Sequence, residues 1–203
     1  MNAPIVAPWS AEPGVLSEGP RWHEERGELL WVDILGKQLD RGTVAGDGSL
    51  GRVVTIAIDR HVGAVAPALG GGYVLAAGPG FVFVDERGTV RELAQPEAGR
   101  TDMRMNDGAC DPQGRFWAGT VAYDDSPGQA TLYRPELDGG WSTVLRGLTT
   151  SNGIDWSPDG QTMYLTTTAP APWRGSASTC ATGPSSIAAR SCKATIQTSC
   201  PMG

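Results

Sequence analysis

The 203-residue sequence predicts an all-β fold, and three observations support this. One pattern occurs four times: a glycine, a short apolar stretch, a glycine-containing turn and an aromatic-led strand. Turn-forming residues separate the apolar runs, and no window of about a dozen residues has the 3.6-residue period of an amphipathic helix. The opening glycines are 44 or 45 residues apart: Gly19, Gly63, Gly108 and Gly153. A repeat of this length with several strands in each unit is typical of a β-propeller blade.

The individual strands and turns follow this repeat. Runs of apolar, β-branched or aromatic residues predict strands over 28–34, 53–58, 73–77 and 81–84. Turn signals lie at 45–48, 70–72, 85–88, 112–114, 138–140 and 158–160. With one blade per repeat, residues 12–166 are predicted to form about three and a half blades of a propeller.

Composition excludes several classes of partner. The apolar content of 40% is enough for a packed core, and the net charge of −6 argues against nucleic acid and anionic membranes as partners. The sequence has no apolar run of about 18 residues. The first residues lack the basic and apolar regions of a secretory signal, so we expect a cytoplasmic protein.

The pattern stops near Thr166. Residues 167–203 contain no Asp or Glu and are rich in Ser, Ala, Thr and Cys, so this segment is predicted to be disordered. Its three cysteines have no histidine nearby and match no zinc-binding spacing. Read in a shifted frame, the codons of this segment permit an amino-acid sequence that is acidic and has regularly spaced turn-forming residues, like the rest of the chain. A frameshift after Thr166 is therefore a hypothesis.

Polar clusters at three of the opening glycines are candidates for a functional site. They are Ser17-Glu-Gly19, Arg104-Met-Asn-Asp-Gly108 and Ser151-Asn-Gly153. Equivalent points of successive blades lie at the same height around a propeller axis, so Glu18, Asn106 and Asn152 are expected to converge. Carboxylate and amide oxygens suit Ca²⁺, Mg²⁺ or Mn²⁺ and are acceptable to Zn²⁺. Arg104 could bind substrate hydroxyls or a carboxylate.

The alternative is that these clusters are only turns, because Asn and Asp before Gly are common turn formers. The two histidines, His23 and His61, have no Ser or Cys nucleophile in a recognisable setting. A hydrolytic triad is therefore not predicted.

The same segments resemble motifs of the SMP-30/gluconolactonase/regucalcin family. The matching text is Leu16-Ser-Glu-Gly-Pro-Arg-Trp22, Arg104-Met-Asn-Asp-Gly-Ala-Cys-Asp-Pro-Gln-Gly-Arg-Phe-Trp-Ala-Gly-Thr120 and Ser151-Asn-Gly-Ile-Asp-Trp-Ser-Pro-Asp-Gly160. The resemblance covers residues 12–166. It implies a six-bladed propeller that hydrolyses sugar lactones with one divalent cation (Ca, Zn, Mg or Mn) in its channel.

The resemblance also implies roles for individual residues. Glu18 and Asn152 would bind the metal, and Arg104, Asn106 and Asp124 would contact the lactone. The family's third ligand, an aspartate of a Pro-Asp-Gly motif on a later blade, is also its catalytic acid/base. This chain reads Cys200-Pro-Met-Gly203 where the shifted frame permits Leu-Pro-Asp-Gly, so no catalytic residue is assigned.

Three functional interpretations remain open at this point. The protein is a lactone hydrolase that acts on a small sugar lactone only in a longer form, a non-catalytic calcium- or metal-binding or interaction protein, or an inactive fragment. A fold alone does not decide among them, because propellers carry many functions.

Overall fold

The computed structural model describes residues 13–167, and within this range the chain is all-β as predicted, with no α-helix. A 3-10 turn at Glu24–Arg26 follows the first strand. The strands are β1 Ser17–His23, β2 Glu28–Asp33, β3 Gln38–Val44, β4 Leu50–Ala57, β5 Val62–Pro67, β6 Tyr73–Ala77, β7 Gly80–Val84, β8 Val90–Ala94, β9 Met103–Cys110, β10 Phe116–Ala122, β11 Ala130–Pro135, β12 Trp141–Leu148, β13 Ser151–Trp156 and β14 Met163–Thr167.

These strands form one antiparallel sheet per sequence repeat, with strands adjacent in chain order. Strands β1–β4, β5–β8 and β9–β12 make three four-stranded sheets, called blades 1, 2 and 3 below, and β13–β14 make a two-stranded half-blade. The opening glycine of each repeat lies in the first strand of its sheet: Gly19, Gly63, Gly108 and Gly153. The prediction of about three and a half propeller blades is thereby confirmed.

The core consists of apolar layers between neighbouring sheets. Side chains alternate between the two faces of a strand, and β6 shows the result. Tyr73 and Leu75 pack in the layer shared with blade 1, whereas Ala76 packs in the layer shared with blade 3. Strand β6 is covered on both faces, which explains its continuous apolar sequence. A third layer joins blade 3 to the half-blade, where the rings of Trp117 and Trp156 meet edge to face with centroids 5.9 Å apart.

The first strands of consecutive sheets lie against one another. A Cβ atom added to Gly63 would lie 2.1 Å from the carbonyl oxygen of Asn106, so only glycine permits this approach. The backbone N–H of Gly153 donates to Oδ2 of Asp107 over 2.7 Å, which joins β13 to β9. Arg21 reaches further, donating from Nη2 to the Gly108 carbonyl of blade 3 over 2.8 Å. The four sheets lie side by side in chain order, and we call this arrangement the arc. Strands β1, β5, β9 and β13 are therefore its inner strands.

The inner strands share a direction and an irregularity. Four antiparallel strands return the chain to the end at which the sheet began, so every inner strand starts at the same end of the arc. We call this the inlet end. Each inner strand also has a break in register at or beside its opening glycine. Gly19 and Gly153 have φ of 57° and 59° there, which favours glycine. Such bulges redirect side chains and are frequent beside active sites.

Two further expectations concern membrane spans and the C-terminal segment. Within residues 13–167 no helix has the length and apolar character needed to cross a membrane. The segment predicted to be disordered lies outside the described residues apart from Thr167, which ends β14. The three tail cysteines and the segment of the hypothetical frameshift lie outside them as well.

Candidate functional site at the inlet end

The candidate site residues lie at or near the start of three inner strands. Glu18 is the second residue of β1, Arg104 and Asn106 are near the start of β9, and Asn152 is the second residue of β13. All three clusters lie inside strands. The alternative that they are only turns is therefore wrong, and the bulged strands present them at one end of the arc.

Arg104 and Asn106 form a hydrogen-bonded pair. Nη1 of Arg104 donates to Oδ1 of Asn106 over 2.8 Å and to the Met105 carbonyl over 3.0 Å. Nδ2 of Asn106 donates to the carbonyl of Ser151 over 2.9 Å, so the half-blade fixes the orientation of this amide. Position and orientation of both side chains are thus set before any ligand binds.

Arg104 is a half-buried cation that forms no ion pair with a described carboxylate. Burial lowers the pKa of its guanidinium, and the nearby Tyr123 and Asp125 offset this in part. A guanidinium remains charged at any physiological pH. Its nitrogens other than Nη1 make no hydrogen bond within residues 13–167, so they are available to a ligand.

Glu18 and Asn152 differ from this pair because both are exposed. Neither side chain makes a hydrogen bond to another described residue, so the two carboxylate oxygens of Glu18 and the amide oxygen of Asn152 are free to bind a cation. Their chemistry fits a hard divalent ion, but Ca²⁺ takes about six to eight oxygens. No cluster of three or more His, Cys, Asp or Glu side chains that could hold a metal occurs within residues 13–167. Within the described residues, these clusters do not form a complete site for such an ion.

Asp107 occupies in β9 the position that Glu18 has in β1, one residue before the opening glycine. Its carboxylate accepts hydrogen bonds from the backbone N–H groups of Gly108, over 2.8 Å, and Gly153, over 2.7 Å. The side chain therefore links blade 3 to the half-blade.

Asp124 lies in the loop after β10 and is exposed. It accepts hydrogen bonds from the backbone N–H and the hydroxyl of Ser126, over 3.0 and 2.7 Å, and these bonds lower the pKa of its carboxyl. It makes no hydrogen bond to Arg104 or Asn106. Its role as a substrate contact stays a prediction.

Sequence reasoning missed a further pair at the inlet end, His61 and Tyr123. Nδ1 of His61 and the hydroxyl of Tyr123 are 2.7 Å apart, and the two rings meet edge to face. Burial lowers the pKa of His61, and the positive charges of Lys37 and Arg104 lower it further. A signal was available, because His61 lies two residues before its opening glycine, as Asn106 does.

Comparison with known proteins identifies relatives. The model of the SMP-30/Gluconolactonase/LRE-like region matches residues 16–182. A protein named putative sugar lactone lactonase YvrE from Bacillus subtilis is 36% identical over 151 residues, covering 74% of this chain and 50% of the relative. Regucalcin of Xenopus laevis is 36% identical over 155 residues, covering 73% of this chain and 50% of the relative.

The fold comparison agrees. The crystal structure of a calcium-binding protein, regucalcin, from Agrobacterium tumefaciens superposes with a TM-score of 0.71 at 26% identity, covering 78% of this chain and 52% of that one. The chain spans about half the length of the curated relatives it matches.

Proposed function

The chain belongs to the SMP-30/Gluconolactonase/LRE-like family, and we propose that it is part of a sugar lactone hydrolase that depends on a divalent cation. The observation that supports this proposal is the fixed Arg104–Asn106 pair on β9, together with two free oxygen-donor side chains, Glu18 and Asn152, near the starts of the inner strands β1 and β13. Relatives named as lactonases support the same activity.

In this proposal Arg104 and Asn106 hold the sugar. The free nitrogens of Arg104 donate to oxygen atoms of the sugar, and hydrogen bonds from a charged donor are stronger than neutral ones. Asn106 is held by Ser151 on one side and Arg104 on the other. Because these bonds exist without ligand, little ordering entropy remains for substrate binding to overcome.

Glu18 and Asn152 are the proposed cation ligands. A cation bound there would polarise the lactone carbonyl and lower the pKa of a water molecule. The native ion is Ca, Zn, Mg or Mn, since these donors accept each of them. Two side chains are too few for a complete site, so we propose that the 203-residue chain hydrolyses lactones poorly. Further blades would then supply the remaining ligand and the acid/base group.

The test compares the 203-residue chain with a longer protein in which the reading frame after Thr166 is restored. Hydrolysis of D-glucono-1,5-lactone is followed by acid release after metal removal and after each cation is added back. We expect cation-dependent activity in the longer protein only. Glu18→Ala or Asn152→Ala should lower its kcat/KM by about 100-fold or more.

Glu25→Ala is the matched control, because Glu25 is exposed and lies in the 3-10 turn beyond the opposite end of β1. It should leave activity unchanged. Activity that survives metal removal, or that survives both ligand substitutions, would overturn the cation-dependent mechanism.

A second candidate is a metal-binding protein without catalysis, which the calcium-binding regucalcin from Agrobacterium tumefaciens favours. Calorimetry with Ca²⁺ on the longer protein separates the two. Saturable binding that Glu18→Ala abolishes, together with no turnover of any aldonolactone with any of the four cations, would establish this alternative.

A further inference from the structure

Three basic side chains near the inlet end lack an acidic partner. Lys37, in the turn between β2 and β3, is exposed, and its ammonium group makes no ion pair or hydrogen bond within residues 13–167. Arg104 has no carboxylate partner there either. His61 has one nitrogen bonded to Tyr123 and leaves Nε2 without a described partner.

Backbone hydrogen bonds hold these segments together. The N–H of Gly78 donates to the carbonyl of His61 over 2.8 Å, and the N–H of Met105 donates to the carbonyl of Gly78 over 2.9 Å. Gly78 thus bridges His61 to the residue after Arg104. The backbone N–H of Ile58 donates to the carbonyl of Lys37 over 2.8 Å. The backbone N–H of Tyr123 donates to the carbonyl of Asp102 over 2.9 Å.

The acidic residues nearby in the chain are mostly engaged elsewhere. Asp59 is paired with Arg60 at 2.6 Å and is influenced by the charge of Lys37 without forming an ion pair with it, and Asp102 is paired with Arg100 at 2.7 Å. Asp125 lies close enough to influence Arg104, yet forms no ion pair with it. Both Lys37 and Arg104 in turn act electrostatically on His61. Lys37 and Arg104 are therefore two positive charges that act on His61 and that no ion pair with a described carboxylate neutralises.

His61 can add a hydrogen-bond donor beside these two charges in one of its two tautomers. A tyrosine hydroxyl that donates to Nδ1 leaves the imidazole proton on Nε2. In this tautomer Tyr123 fixes the ring and Nε2–H is free to donate. A fixed donor flanked by two cations suits the oxygens of an anion.

We propose that Lys37, His61 and Arg104 form a subsite for an anionic group that the sugar lactone carries outside its ring ester: a carboxylate, a sulfonate or a phosphate. The identity of the sugar rests on the proposed function, whereas the preference for an anion rests on the charges alone. The proposed cation ligands are on β1 and β13, and the subsite includes β9 and the residue before β5. The reacting ester and the anionic group thus have separate binding elements.

The test measures binding rather than turnover. The protein has two histidines, so labelling with carbon-13 histidine gives a reporter in the subsite, His61, and an internal reference, His23. D-Glucose is titrated against D-glucuronate, D-glucose 6-phosphate and 6-deoxy-6-sulfoglucose, which share its ring. We expect at least one anionic sugar to shift the His61 signals alone and to bind about 10-fold more tightly than glucose. The ranking among the three identifies the anion.

Two substitutions locate the binding. Lys37→Asn suits the φ of 56° at this position, because Asn tolerates it, and His61→Gln removes the ring. Each should weaken binding of the preferred anionic sugar about threefold to tenfold, as measured by calorimetry, and should leave the affinity for glucose unchanged. Arg52→Ala is the control for net charge, since exposed Arg52 on β4 has no described partner. The His23 signal reports whether the Lys37→Asn variant is folded, and circular dichroism reports on both variants.

Equal affinity for glucose and all three anions would overturn the proposal, as would equal weakening by Arg52→Ala and Lys37→Asn. Anion binding without lactone turnover by the longer protein would retain the subsite and overturn the lactonase proposal. Turnover of neutral lactones without preferential binding of the anionic sugars would retain the lactonase proposal and overturn the subsite.

Discussion

The same turn occurs in blade 3 and in the half-blade, in two different environments. Asp111-Pro-Gln-Gly-Arg115 and Ser157-Pro-Asp-Gly-Gln161 both end a first strand. In each, the glycine N–H donates to the carbonyl of the first residue, over 2.9 and 2.8 Å. In blade 3 the first side chain is buried, whereas the half-blade turn is mostly exposed. Local sequence therefore determines the turn, and the burial of its first side chain determines how much that side chain contributes to stability.

The hydrogen bonds of the two turns show this difference. Oδ2 of Asp111 accepts from Nε of Arg115 over 2.6 Å and from Nε1 of the buried Trp117 over 2.9 Å. Oγ of Ser157 accepts from the backbone N–H of Thr162 over 3.0 Å. A buried acceptor with charged and indole donors is costly to remove, whereas water can more easily replace a half-buried one such as Ser157.

Asp111→Ala should have the largest effect. It leaves the indole N–H of Trp117 and Nε of Arg115 without their carboxylate acceptor, so we expect the free energy of unfolding to fall by about 3 kcal/mol. Urea denaturation followed by tryptophan fluorescence measures this loss. Ser157→Ala is the matched variant and should lower the same quantity by about 1 kcal/mol or less. Equal losses would show that burial of the first side chain does not determine its contribution.

Gly119→Ala should have an intermediate effect, because it tests the contact between blade 3 and the half-blade. A Cβ atom at Gly119 would lie 2.0 Å from Oγ and 2.1 Å from Cβ of Ser151. Overpacking of this kind costs about 1–3 kcal/mol. The double variant Gly119→Ala/Ser151→Gly should recover much of the loss, measured by thermal denaturation. Gly46→Ala, where a Cβ meets nothing within 4 Å, is the neutral control; a loss equal to that of Gly119→Ala would contradict the steric explanation.

The smallest effect concerns the pKa of Asp159 in the half-blade turn. The hydroxyl of Ser157 and then the N–H of Gln161 lower this pKa below its ordinary value of 3.8. Ser157→Ala should therefore raise it, which carbon-13 NMR of the carboxyl group measures. A lowered pKa in the folded state stabilises the protein above the unfolded value, and this is lost as the pH falls through the folded value. Because Asp159 is exposed, the stability change should be small; an unchanged pKa would contradict the assigned role of Ser157.

The 44- to 45-residue period of the sequence predicted the fold because each repeat forms one sheet. Strand β6 matches the predicted strand 73–77 at both ends, since packing on two faces gives a continuous apolar run. The outermost strands of blades 2 and 3, β8 and β12, escaped prediction. Their residues are mostly exposed, so they carry no apolar pattern, and pairing with β7 and β11 holds them in place.

The candidate site was predictable where it depends on neighbouring positions in the chain. Arg104 and Asn106 are two residues apart, and their pairing follows from one bulged strand. His61 and Tyr123 are 62 residues apart, and only the packing of blade 2 on blade 3 brings them together. Asp124 was assigned by resemblance alone, and its loop directs it to Ser126.

The hydrogen bond from Arg21 to the Gly108 carbonyl joins residues 87 positions apart and passes over blade 2. The curvature of the arc is therefore set by contacts among the first three blades and does not wait for a closed ring. During synthesis on the ribosome, the N-terminal part of a chain emerges first. A nascent chain that has emerged as far as blade 3 already contains every group needed to set this curvature, and each later sheet adds to a template of fixed radius.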